Sequence, residues 1–165
     1  MGPLPSHGPS AMTQVTPRML ELARRLIEHE RIGKPRPGKK PAKPRPSIDF
    51  SVIERLRPSL VTLMSTLGFQ ALLLRAQALS SADIPWIAEV MIHTDGSIGE
   101  RAKRAPNPDP EEIRNGNLIF LAHVLMLLEA FIGEVLTLQL MIEVWPNVPL
   151  DDLDSGTGET HEKAT

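Results

Sequence analysis

The chain has 165 residues, no cysteine, no tyrosine and a formal net charge of −2 at pH 7. That length suits one domain with tails, and the missing cysteines exclude disulfides, thiol catalysis and cysteine-ligated zinc and point to a reducing, cytoplasmic setting. The charge is uneven: residues 1–57 carry 12 Lys or Arg against 5 acids and residues 58–165 carry 6 against 15, so the two ends suit each other within or between chains.

Residues 1–15 are rich in Pro, Ser and Gly and read as a disordered leader without the apolar core of a signal peptide. A helix is predicted over 16–32, with Thr16 as cap and Pro17 in the first turn. Met19, Leu20, Ala23, Leu26 and Ile27 form its apolar stripe, which needs a surface to lie on, and Gly33 ends it. Residues 33–46, GKPRPGKKPAKPRP, hold six Lys or Arg, five prolines and no acid. Such density of proline predicts an extended linker. Its charges, Lys34, Arg36, Lys39, Lys40, Lys43 and Arg45, form a candidate electrostatic arm for nucleic acid or an anionic surface. No aromatic is interleaved to stack on bases, which disfavours single-strand binding.

The core is expected over 47–146. Ser47 is the expected cap of a helix that turns Phe50, Ile53 and Leu56 inward, and Pro58 is expected to kink or restart it. Leu60, Leu63, Met64 and Leu67 resume a stripe up to Gly68. Phe69, Leu72, Leu73, Ala76 and Leu79 form another, ending near Ser80-Ser81. After Pro85-Trp86 the texture changes. Val90–Thr94, then Asp95-Gly96, then Ser97–Gly99 predict a short β-hairpin on a type I′ turn, marginal by itself and needing helices beneath it. Residues 101–110 form a loop.

The most apolar stretch follows, and the shorter elements are expected to pack around it. Asp109 can cap, Pro110 suits the first turn, and Glu111 and Glu112 complement the helix dipole. The helix is expected to run to Val144, where Trp145-Pro146 stops it, with Asn115-Gly116-Asn117 as its weak point. Phe120, Val124, Leu127, Leu128, Phe131, Val135, Leu138 and Ile142 share a wide apolar arc, which belongs in an interior. Ala122, Ala130 and Gly133 on the other arc would admit a close helix neighbour. Leu118–Ile142 is long enough to span a bilayer, but Glu129 and Glu134 nearly cancel its apolar gain, so a core helix and no membrane span are expected.

His123, Glu129 and Glu134 lie on the mixed arc, His123 and Glu134 three turns apart on one line. Together with Arg75, the expected partner of the two acids, they form a candidate buried polar cluster. A metal site in a bundle announces itself by Glu-x-x-His repeats. None is present, and no cofactor or catalytic residue is assigned. Residues 147–165 form an acidic tail, with Val148, Leu150 and Leu153 pinning its start. Ser155-Gly156-Thr157-Gly158 lacks the strand and helix that a phosphate loop requires.

Several phrases, in order, resemble a group of small helical bacterial proteins. They are Ile53-Glu54-Arg55-Leu56-Arg57-Pro58, Gly68-Phe69 with Leu72-Leu73 and Arg75-Ala76, and Pro85-Trp86. Asp95-Gly96-Ser97, Phe131-Ile132-Gly133-Glu134 with Leu136-Thr137, and Trp145-Pro146 complete the set. The resemblance runs over residues 16–154, implies a helical fold with a hairpin insert, and brings no activity or ligand. The Lys/Pro arm is longer and more basic than the group's pattern.

The sequence therefore predicts a mainly α protein: a compact helical bundle around one long C-terminal helix, with a hairpin insert near residues 90–99. The expected function is non-enzymatic protein–protein interaction or scaffolding, with the chain itself as the expected partner in a homodimer or higher oligomer. The alternatives are a bundle that binds a small ligand or metal through His123, Glu129, Glu134 and Arg75, and attachment to nucleic acid or an anionic surface by the basic arm.

Overall fold

The computed structural model describes residues 15–33, 50–101 and 108–150. The leader up to residue 14, the basic arm, most of the loop before the last helices, and the acidic tail with Leu153 lie outside the described residues. Among the described residues the fold is mainly helical, with one two-stranded antiparallel sheet.

Helix α1, Pro17–Gly33, starts where Thr16 Oγ1 accepts from the Met19 amide. Its buried face is Met19, Leu22, Ala23 and Leu26. Leu22 therefore replaces Leu20 and Ile27 at the centre of the stripe, and those two are only half-buried against its edges.

Helix α2, Ser51–Ser81, is interrupted, but not where the sequence suggested. Pro58 sits inside the helix, and the non-helical residue is Ser65, with φ 71° and ψ 166°. Ser65 Oγ accepts from the Gly68 amide, so it caps the second arm as an N-cap serine does. The chain turns back there. Phe50, at one end of α2, has its ring 5.5 Å from that of Phe120, while Ser80, at the other end, lies 2.8 Å from His123. Those two contacts are a single turn apart on one helix, yet a straight 31-residue helix would hold its ends about 46 Å apart. So α2 is an α-hairpin with Ser65 at its tip.

A 3₁₀ turn, Pro85–Glu89, leads into strands β1, Val90–Ile92, and β2, Ile98–Arg101. The Gln77 side-chain amide donates to the carbonyls of Ile87 and Val90 and ties this insert to the second arm of α2. The loop differs from the expected type I′ turn. Gly96 N–H donates to His93 O, His93 N–H donates to Ser97 O, and only Gly96 has positive φ. That is a type I turn closed by a left-handed glycine, the usual three-residue hairpin loop. Gly96 is also pressed on the Phe69 ring, where a Cβ would come within 2.5 Å of the ring carbons. The hairpin packs on α2, as its marginal stability requires.

Helix α3, Pro110–Ile132, opens with a full capping box between Asp109 and Glu112. The expected weak point at Asn115-Gly116-Asn117 stays helical. Gly116 is there because the Trp86 indole lies against it: a Cβ would come within 2.3 Å of the ring. The break falls instead at Gly133, φ 95° and ψ 160°, after which α4, Glu134–Val144, begins. Six consecutive residues of α3, Phe120 to Leu125, are buried, so both arcs of the helix face protein. Around the break the phase changes: Phe131 just before it and Val135 and Ile142 after it, expected inside, are exposed, and Thr137, Leu138 and Met141 are covered. Of the small residues, Ala122 is buried, whereas Ala130 and Gly133 are exposed.

Among the described residues two helices, Ser51–Ser81 and Pro110–Ile132, are long and apolar enough by length and composition to cross a membrane. Ser65 divides the first into arms of 14 and 16 residues, each short of the roughly 20 a span needs. The second has its middle enclosed by the chain's own side chains.

Two outcomes follow from this packing. Gly116→Ala should destabilise by about 1–3 kcal/mol, because the new methyl group overpacks a buried site, as a urea titration will read. The second concerns Asp95, whose carboxyl is held below its usual range, first by the Ser97 hydroxyl, then by the Ser97 amide and more weakly by Arg57 and His93. A depressed carboxylate stabilises the fold above its unfolded value and loses that contribution as pH falls through its folded value. The protection of the Ser97 amide from hydrogen exchange, relative to its intrinsic rate at each pH, should therefore fall on acidification below the ordinary aspartate range, and Asp95→Asn should abolish that dependence.

Candidate functional site

The residues singled out from the sequence do not form one cluster. Glu129 ends the buried part of α3 and Glu134 opens α4, so the two acids flank the break at Gly133. Both are claimed by Arg18 from the first turn of α1: one guanidinium nitrogen donates to Glu129 Oε2 and another to Glu134 Oε2, each at 3.0 Å. The three side chains are about a quarter to two-fifths exposed. This is a forked, charge-assisted clamp of the kind arginine makes well, and it joins three helices at one point. Arg75, the expected partner, is exposed on the second arm of α2.

His123 lies apart, in the interior. Its Nδ1 is 2.8 Å from Ser80 Oγ and 3.1 Å from Ile119 O, and both His123 and Ser80 are essentially inaccessible. A serine against an imidazole is the first half of a nucleophile–base pair. Here a substrate has no way to the hydroxyl, and the pair reads as two buried polar groups satisfying each other. Among the described residues no three His, Asp or Glu side chains gather as a metal would need. A shallow open groove of about 430 Å³, lined by Glu111, Glu112, Arg114, Asn115 and Leu118, runs along the start of α3 and reaches none of these groups. The basic residues Lys34 to Arg45 lie outside the described residues.

A second polar junction went unseen in the sequence. Glu30, near the end of α1, accepts from the Trp145 indole at 2.8 Å and pairs with Arg55 at 3.2 Å, and Arg55 stacks 6.0 Å from the Trp145 ring. Arg25 donates to Pro149 O at 2.7 Å. A signal was available: Glu30 falls on the same helical face as Met19, Leu22, Ala23 and Leu26, where an acid must find a donor. Because Arg18 meets Glu134 and Glu30 meets Trp145, α4 runs beside α1 in the same direction.

These contacts act to position helices. Arg18→Met should lower stability by about 1–2 kcal/mol, less than the roughly 3–5 of a fully buried pair because the clamp is partly solvated. Arg75→Met should leave it within about 0.5 kcal/mol. Thermal unfolding of the two variants side by side checks both. No family model, curated protein or solved structure matches the chain.

Proposed function

We propose that the protein is a non-enzymatic helical interaction protein whose first partner is a second copy of itself. The observation that carries this reading is the outer face of α4. Val135, Leu136 and Ile142 are all exposed there, on the side away from Thr137, Leu138 and Met141, and Phe131 is exposed just before the break. Gln139 and Glu143 share that outer face, so its apolar part is a strip in which Val135 and Ile142 lie two turns apart on one line with Leu136 on the far flank, and none of the described residues covers it. Large exposed apolar side chains grouped in this way mark association surfaces. A second copy presents the same face, so a two-fold pairing would bury both at once.

The ligand-binding alternative has less support: Arg18 holds both acids, Ser80 holds His123, and Arg75 lies exposed. Attachment through the basic arm stays an alternative that deletion of residues 34–45 tests by itself, with the salt dependence of DNA binding as readout.

Sedimentation over a wide concentration range should show reversible dimers or larger species of the full chain. Val135→Glu with Ile142→Glu should keep the helical signal and the melting temperature and weaken association at least tenfold, since each charge would have to be desolvated at the interface. A wild-type chain that stays monomeric at its solubility limit would overturn the proposal.

A further inference from the structure

Ser65 is, among the described residues, the non-glycine with positive φ, and φ 71° with ψ 166° is a region populated almost entirely by glycine. Side chains there are strained, so the tip of the α2 hairpin is held against a local force. No proline follows Pro58 before Pro85, and although the main stripe changes at Gly68, one set of apolar residues keeps helical spacing across the tip.

That spacing is informative. In an uninterrupted helix, Ile53, Leu56, Leu60, Leu63, Leu67 and Leu74 fall on one face, following the i, i+3, i+4, i+7 rule. The first three are buried in the folded-back hairpin. The last three are exposed. The face that the first arm buries therefore continues in register into the residues that the hairpin leaves uncovered.

We propose that α2 is a hinge: it opens at Ser65 into one continuous helix, and two copies exchange arms. Each bundle then consists of residues 15–64 of one chain and 66–150 of the other. The proposal rests on the self-association argued above and names its route. Exchange keeps the bundle's contacts, because the Arg18 clamp and the Phe50–Phe120 pair re-form between chains unchanged. It adds two things: Ser65 takes helical angles, and the two long helices cross about a two-fold axis at residue 65, where Leu63 of each chain meets the partner's Leu67. Strained hinges of this kind are a recognised route to exchange.

The test uses the full chain, which has no native cysteine. Arg57 and Asp95 lie near enough to interact, one on each side of the hinge, so Arg57→Cys with Asp95→Cys can be joined by a short bis-maleimide. Exchange predicts cross-linked species of twice the chain mass on a denaturing gel. Exchange of α1 alone, or docking of intact bundles through α4, predicts links within one chain. Ser65→Gly relieves the strain only in the folded-back form and penalises the continuous helix, whereas Ser65→Ala removes the cap and favours the helix. The dimer association constant should thus fall by about a hundredfold in the first, tenfold per hinge, and rise in the second. Circular dichroism of each variant establishes that it is folded.

Inter-chain links whose amount follows Ser65→Gly and Ser65→Ala in these directions support the hinge. Dimers linked only within chains and indifferent to residue 65 overturn it and leave self-association standing. Monomers throughout overturn both.

Discussion

The structure depends on one constraint: the middle of α3 is apolar around its whole circumference and must be covered on all sides. Six consecutive buried residues, Phe120 to Leu125, admit no solvent face, so no single neighbouring helix could satisfy them. The chain meets the demand with three elements. Both ends of α2 return to the same turn of α3, α1 lies along it, and α4 folds back past Gly133. Everything that looks irregular in the path, from the reversal at Ser65 to the break at Gly133, serves that enclosure.

Polar groups are used to fix where the covering helices sit. Arg18 measures the position of α1 against the break, because it must reach acids on both sides of Gly133 at once. Glu30, Arg55 and Trp145 fix the other end of α1. The interior pair Ser80–His123 sets the height of the returning arm of α2 against α3. Apolar burial supplies the drive and is indifferent to small slides. Hydrogen bonds are not, and a slide of one turn would leave each of these groups without its partner.

Much of the fold could be read from the sequence, and the reasons it could not all be read are local. Helix starts were legible where a cap and a proline coincide, at Thr16-Pro17 and Asp109-Pro110. The hairpin was legible from Asp95-Gly96, although one positive φ in place of two changed its loop. Interruptions were misplaced because glycine and proline are ambiguous without their neighbours. Gly116 makes room for the Trp86 ring and costs the helix nothing visible, Pro58 is tolerated two turns in, and the true reversal falls on a serine whose strain no pattern announces. The candidate polar cluster was half legible. Glu129 and Glu134 do share a partner, but an arginine more than 100 residues away in sequence competes for them, and periodicity along one helix is silent about that.

The two tryptophans stand at the two junctions that hold the bundle together. Trp145 is wedged between α1 and α2, with its indole N–H on Glu30, and Trp86 is wedged between the hairpin insert and the start of α3, with its N–H on the Glu112 carbonyl. The chain has no tyrosine, so its near-ultraviolet emission comes from these two rings alone. Each ring can then be silenced separately by replacement with phenylalanine. Intrinsic fluorescence thereby reports the seating of the amino-terminal helix in one variant and of the β insert in the other, which makes the protein its own two-channel optical gauge.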